Sequence, residues 1–296
     1  MNELWHPLSR REAPDGPQLC TVISKTLERA LRDWIRNVID TRHLDDERLI
    51  LRCDLEEAAQ GTDELDGAER VAYLTSRDKL WDLVDAVLDL ALPSFPDRGD
   101  KPNILDTFAR QTWLMEVRTP LARILDDAGS VYTVRRDGSA IEHRTNSTVT
   151  ALLDDAVSAA DQPNRGSASR HLLQARNAAY ARIPDPVKAY SEAIKAVEAA
   201  AHTTLEPNNS KATLGTMLHK IPTFREKLAV PITGKNGTEG IELIESLIAT
   251  LWTGQTSRHG NCQVTRDETP PEALEAVHIA ALLVQLFSSG AIHRSS

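Results

Sequence analysis

The sequence predicts an all-α protein with one small β-hairpin in its first half and a helical bundle in its second. Three observations carry this expectation. Apolar residues recur at helical spacing in segment after segment. Aromatic residues are only 4% of the chain, so the core must be built from Leu, Ile, Val and Ala, which suit helix–helix packing better than a sheet. Helix-start signals also stand where periodic patterns begin, at Asp185-Pro186 and at Thr269-Pro-Pro-Glu272.

Taken in order, TVISKTLERALRDWIRNVI is the first helix, with Val22, Leu27, Leu31, Trp34, Ile35 and Val38 on one face. DKLWDLVDAVLDLAL repeats the pattern with Leu80, Leu83, Val84, Val87 and Leu88. Pro93, Pro96, Gly99 and Pro102 make a loop. Two helices, ILDTFARQTWLMEV and LARILDDAG, then flank Thr119-Pro120, with Gly129 as a C-terminal cap. SVYTVRRDGSAIEHR alternates on either side of Asp137-Gly138, which marks a tight hairpin within 130–144. The polar stretch DQPNRGS at 161–167 is read as a boundary, giving an acidic helical domain at 1–162 and a bundle at 165–296.

In the second half, SRHLLQARNAAYARI is stopped by Pro184, and VKAYSEAIKAVEAAA faces the core with Tyr190, Ile194, Val197 and Ala201. Lys188 and Glu192 make an i,i+4 pair on another face. KATLGTMLHKI is a short helix and PITGKNGTEG a glycine-containing loop. IELIESLIATLW points Ile241, Ile244, Leu247, Ile248 and Leu251 inward. The last helix does so with Ala273, Val277, Ala280, Val284 and Phe287.

Bulk properties narrow the function classes. The chain has 296 residues, enough for two ordinary domains. Its net charge of −9 is unevenly spread: residues 165–296 carry 14 Lys plus Arg against 12 Asp plus Glu, leaving the first part at −11. A phosphate backbone would therefore meet the second half. Three scattered cysteines, Cys20, Cys53 and Cys262, fit a reducing compartment. No run approaches about 18 apolar residues, and MNELWHPLSRREAPDG lacks a secretory h-region. A cytoplasmic protein without membrane contact is expected. No zinc or two-metal spacing, HExxH or GxxxxGK[ST] occurs, so neither metal nor cofactor is expected.

Chemistry concentrates in LWTGQTSRHGNCQVTRDETPP, where Gln255, Arg258, His259 and Asn261 fall within seven residues. An imidazole moves protons at neutral pH, and a guanidinium holds phosphate oxygens through a permanent forked charge. Gly260 lets a ligand or backbone come close. The structural alternative is that Arg258 and His259 cap the carbonyls at the end of the preceding helix, where cations suit the macrodipole. Glu198, at the edge of its helix's apolar face, either orients His259 across the bundle or pairs with Lys195 at the surface. His278 beside Val277 is read as a hydrogen-bonded, partly buried side chain.

The AYSEAIKAVEAA and KATLG segments and the RHG loop, followed by a capped Ala-rich last helix, resemble a HEPN-type domain. They are most similar to the C-terminal domains of bacterial abortive-infection proteins. The chain also resembles an uncharacterised bacterial family in which LWTGQTSRHG and LVQLFSSGAI recur. The resemblance covers roughly 165–290 and implies a four-helix HEPN-like bundle. It further implies a metal-independent endoribonuclease of a defence or toxin type, assembled as a homodimer and acting on RNA. His259 would be the general base and Arg258 the phosphate clamp. The family has four to six residues between its Arg and the His, which here means Trp252, Thr253 or Gly254, so His259 and Gly260 match and the Arg does not. The rival reading is a catalytically inactive HEPN-like module for dimerisation and RNA or protein binding, with the acidic N-terminal half recognising a protein partner. The same spacing occurs at Arg36–His43, Arg136–His143 and Arg165–His171, about as often as chance allows.

Overall fold

The computed structural model describes residues 19–60, 65–93, 104–258 and 265–294, and it separates into two compact units that divide between Arg144 and Thr145. The first unit is helical. Helix α1 (Lys25–Arg42) is capped by Ser24, whose hydroxyl accepts from the Leu27 amide at 3.1 Å, and it buries Leu27, Leu31, Trp34, Ile35 and Val38. Val22 lies before the cap and is 74% exposed, so the apolar face begins one turn later than the spacing predicts. Helices α2 (Asp46–Cys53), α3 (Glu56–Ala59) and α4 (Gly67–Leu74) lead to α5 (Leu80–Ala91), which buries all five expected residues.

The expected break at Thr119-Pro120 is absent. Helix α6 (Ile104–Trp113) runs through a π-helical turn (Leu114–Arg118) into α7 (Thr119–Asp127), with the Thr119 amide reaching back to the Leu114 carbonyl. The wider turn lets Pro120, which has no amide hydrogen, sit in the first turn of α7 without breaking the chain's helical path. The hairpin forms as predicted: β1 (Tyr132–Val134) pairs antiparallel with β2 (Ile141–His143). Gly138 turns it at φ 78° directly over the Trp113 ring, where a Cβ would collide. This packing supplies the apolar support that a lone hairpin lacks.

The second unit begins earlier than the polar stretch at 161–167 suggests. Helix α8 (Ser147–Ala160), capped by Asn146, buries Leu153, Ala156 and Ala160 in the same core as the helices that follow. DQPNRGS is an internal turn of this unit. Gly166 reverses it at φ 57°, and the Arg165 side chain is buried, donating to the Ala200 carbonyl and to Thr203 Oγ1, both at 3.0 Å. The boundary at 162–165 is therefore corrected to 144–145: polarity marked a turn whose one long side chain is packed inward.

Helices α9 (Ala168–Ala179) and α10 (Pro186–Leu205) pack with α8 and with α13 (Pro270–Ser288) as the central four-helix group. Asp185 caps α10 by accepting from the Lys188 amide at 3.0 Å, as its sequence predicts. Glu192 does not pair with Lys188; it is buried and takes His171 and Lys195 instead. Alanines at 189, 193, 196 and 200 on α10, and at 273, 276 and 280 on α13, are buried and leave the helices little side-chain bulk between them. Helix α11 (Leu214–Lys220) and helix α12 (Glu239–Gly254) lie at the periphery of this group. Thr269 and Glu272 form the expected reciprocal capping box on α13. By length and composition α13 is the one described helix apolar enough to cross a membrane, yet it packs against α8, α9 and α10. One pairing has no local signal: β3 (Leu228–Ala229) meets β4 (His293–Arg294) near the end of the chain.

Candidate functional site

The Arg258 region grows out of the end of α12. Its last turn carries Trp252, whose ring packs against Gly215 of α11, where a Cβ would lie 2.5 Å from the indole. Gly254 ends the helix beneath the Tyr190 hydroxyl, again with no room for a Cβ. The chain then turns back, and the Arg258 guanidinium lies 3.4 Å from the centre of the Trp252 ring. Its Nε donates to Gln255 Oε1 at 3.0 Å, and Nη2 donates to the Trp252 carbonyl. That carbonyl belongs to the final helical turn, where partial negative charge accumulates. Arg258 is thus a helix cap stacked on an aromatic face, the structural one of its two roles.

Acidic groups surround it. Glu198 does not pair with Lys195, which goes to Glu192 at 2.7 Å; it accepts from the Leu214 amide at 2.7 Å, at the start of α11. Burial pushes the Glu198 carboxyl above the ordinary range, against the opposing pull of that amide and of Arg258. Glu268 is 4% exposed and accepts from the Ser257 amide at 2.9 Å and from Ser257 Oγ at 2.8 Å. Burial raises its pKa, but these donors outweigh it and hold the carboxyl low. Tyr190 is pushed up by burial first, then by Glu268 and Glu272. Burial lowers the Arg258 pKa, and Glu198, Tyr190 and Glu268 oppose that shift without cancelling it.

The two bases of the loop are joined. Thr256 Oγ1 donates to the Arg266 carbonyl at 2.9 Å, and Arg266 pairs with Glu272 at 2.8 Å. His259, Gly260 and Asn261 lie outside the described residues. Of the residues expected at the site, the structure brings Gln255 and Arg258 into contact and places Glu198 within electrostatic reach.

At two of the other Arg–His spacings the arginine is engaged elsewhere. Arg36 pairs with Glu69 at 3.1 Å, while His43 is the left-handed cap of α1 at φ 49°. His143 is a strand residue whose ring lies 5.1 Å from that of Tyr132. Arg165 is bonded to α10, whereas His171 Nδ1 is 2.6 Å from Glu192 Oε2. His278 Nε2 is hydrogen-bonded to the Tyr180 hydroxyl at 2.7 Å, in keeping with its expected structural role. Among the described residues no group of three or more His, Cys, Asp or Glu is placed to hold a metal.

Sequence reasoning missed Trp252, Tyr190 and Glu268. Trp252 carried a signal, an aromatic residue in the last helical turn six residues before an arginine. Tyr190 and Glu268 carried none, because their roles depend on contacts between separate elements. Family models, curated proteins and solved structures give no match to this chain.

Proposed function

We propose that the second unit is a HEPN-like helical module that works by association, as a homodimer, and not by cleaving RNA. The observation that supports this reading most is the commitment of Arg258. Its guanidinium is stacked on Trp252 and bonded to Gln255 and to the Trp252 carbonyl. A phosphate arriving there would have to break those contacts and lie beside Glu198 and Glu268. Like charges at such range oppose binding. The nuclease of a bacterial defence system remains the second reading. It is favoured by the compact Arg258-His259-Gly260 loop, whose His-Gly matches the HEPN pattern.

The test incubates the full chain with total RNA and with tRNA, with and without chelator, alongside His259→Ala and Arg258→Ala, and measures mass in solution. The association reading expects a dimer, no cleavage by the wild type, and a lower melting temperature for Arg258→Ala. Loss of the stack and the cap is worth about 1–2 kcal/mol. Chelator-resistant cleavage that disappears in His259→Ala would refute it in favour of the nuclease.

A further inference from the structure

The loop that leads into α12 carries Asn236-Gly237, the one Asn-Gly pair in the sequence. Residues 231–237 are all exposed. An asparagine followed by glycine is arranged for an intramolecular reaction, because no Cβ hinders the approach of the glycine nitrogen to the asparagine Cγ. Gly237 stands at φ 85°, and a Cβ built on it would meet nothing within 4 Å. Among the described residues, neither the Asn236 carboxamide nor the Gly237 amide takes part in a hydrogen bond. The two groups that would react are therefore both unengaged.

Comparable pairs elsewhere in the described chain are held. Asp66 accepts from the Glu69 amide at 2.7 Å as the cap of α4, and Gly67 is already the first residue of that helix. Asp137 accepts from the Ser139 amide and hydroxyl at 3.0 and 2.8 Å. The Gly138 amide donates to the Arg135 carbonyl at 2.9 Å, beneath the Trp113 ring. Two asparagines that precede serine are tied as well. Asn146 accepts from the Thr148 amide at 2.8 Å, and Asn209 from the Lys211 amide at 3.1 Å. What is fixed at Asn236 is its own amide, which donates to both Glu239 carboxylate oxygens at 2.9 and 3.0 Å. This clasp anchors the chain just before the reacting groups and includes neither of them.

We propose that Asn236 is a site of spontaneous deamidation, a covalent modification that the chain performs on itself. The Gly237 nitrogen gives up its proton to hydroxide and attacks Asn236 Cγ. The N–Cγ bond forms, the Cγ–Nδ2 bond breaks, and the nitrogen leaves as ammonia with a proton taken from water. Water then opens the cyclic imide. Attack at Cγ yields aspartate, and attack at the main-chain carbonyl carbon yields isoaspartate, with the chain running on through Cγ. Nothing is oxidised or reduced, and water is the only co-reactant. Either product adds one negative charge beside the Glu239 carboxylate, where like charges repel. Isoaspartate also lengthens by one carbon the main chain that the clasp spans. Both changes act against the contact that holds the loop to the first turn of α12.

The test incubates the full chain at pH 8 in heavy-oxygen water and maps its peptides after digestion in ordinary water. Product formed in the folded chain carries the heavy isotope, which separates it from product formed during digestion. Asn236 should convert faster than Asn146 and Asn209 by about tenfold or more, a barrier difference of ~1.4 kcal/mol. Unfolding in urea should speed the reaction at Asn146 and Asn209 more than at Asn236, because only the first two lose hydrogen bonds to their side chains. Asn236→Gln keeps the amide that Glu239 accepts from but would have to close a larger ring. It should therefore lack most of the acidic species that accumulates in the wild type on ion exchange. Asn236 that converts in urea and not in the folded chain would overturn the proposal. So would equal rates at the three asparagines, or as much acidic species from Asn236→Gln as from wild type.

Discussion

The placement of α8 in the second unit makes a quantitative prediction about where that unit can be cut. A polypeptide of residues 165–296 lacks α8, and with it Leu153, Ala156 and Ala160, all fully buried, and the partly buried Val149 and Val157. Deleting α8 removes its own ordering cost together with its own burial. The relevant loss is therefore on the faces of α9 and α13 that it covers, which stay ordered but become wet. Contact areas are mutual, so that loss can be sized from α8 itself. A buried Leu is worth about 2 kcal/mol, each of the two alanine methyls about 0.8, and two half-buried valines about 2 together, giving roughly 6 kcal/mol as an upper figure. Domain stabilities are about 5–15 kcal/mol, so the cut removes a third or more. Far-UV circular dichroism on heating and in urea should show one cooperative transition for residues 145–296. Residues 165–296 should give a broad, low-temperature transition with strong dye binding, as for a chain that keeps helices but loses packing. If the shorter polypeptide melts as sharply and at the same temperature as the longer, the assignment of α8 is wrong.

Other substitutions test individual contacts. Arg165→Ala removes two hydrogen bonds from a buried guanidinium to α10 and should lower stability by about 2–3 kcal/mol, read from the urea midpoint. An unchanged midpoint would show that the turn at 161–167 does not depend on it. Glu272, held down to about 2 chiefly by Arg266 and then by the Thr269 amide, has a folded pKa below its unfolded one. Its contribution is complete above about pH 4.5 and fades as pH falls toward 2, so Glu272→Gln should flatten the acid side of the melting-temperature profile. A parallel acid limb in the variant would contradict this. Glu198 has the opposite sign: burial raises its folded pKa, so its ionisation destabilises the fold as pH rises above about 4.5. Glu198→Gln keeps an acceptor for the Leu214 amide and should match or exceed wild-type stability at pH 7, and a clear loss there would mean the charge itself is needed.

What was legible in the chain was what depends on near neighbours in sequence. The faces of α1 and α5, the Asp185 and Thr269 caps and the Asp137-Gly138 hairpin all follow from residues within about one turn of each other. The failures are contacts between distant elements. DQPNRGS looked like a linker because its polarity is local, while the bonds that bury Arg165 lie 35 and 38 residues away. Leu247 fits the inward pattern of α12 but lies only partly buried, lining an open cavity between α12, α13 and the loop 230–234. The β3–β4 pair joins segments over sixty residues apart and has only two residues on each strand. The same limit governed the site. Arg258 was visible as a loop cation, and capping was one of its two readings, but the Glu198 and Glu268 carboxylates that act on it come from other elements.

Those contacts also constrain any role Arg258 plays toward a ligand. Its guanidinium cannot stack on Trp252, hydrogen-bond the last turn of α12 and grip an external phosphate in the same conformation. Recruiting it would uncover the indole, leave the Trp252 carbonyl without that donor, and weaken the pull of Arg258 on Glu198. The cost is the same set of interactions that Arg258→Ala removes, about 1–2 kcal/mol. An anion bound through Arg258 therefore loses about five- to thirtyfold in affinity relative to one meeting a free arginine. Arg258→Lys separates the two roles. A lysine retains the charge but has neither the planar stack nor the fork. If Arg258 is structural, the lysine variant should melt lower than wild type while binding or assembling with partners unchanged. If instead it is a clamp held in reserve, the freed lysine charge should bind oligonucleotide more tightly at low salt than wild type does. Gel-shift titration at two ionic strengths would tell these outcomes apart.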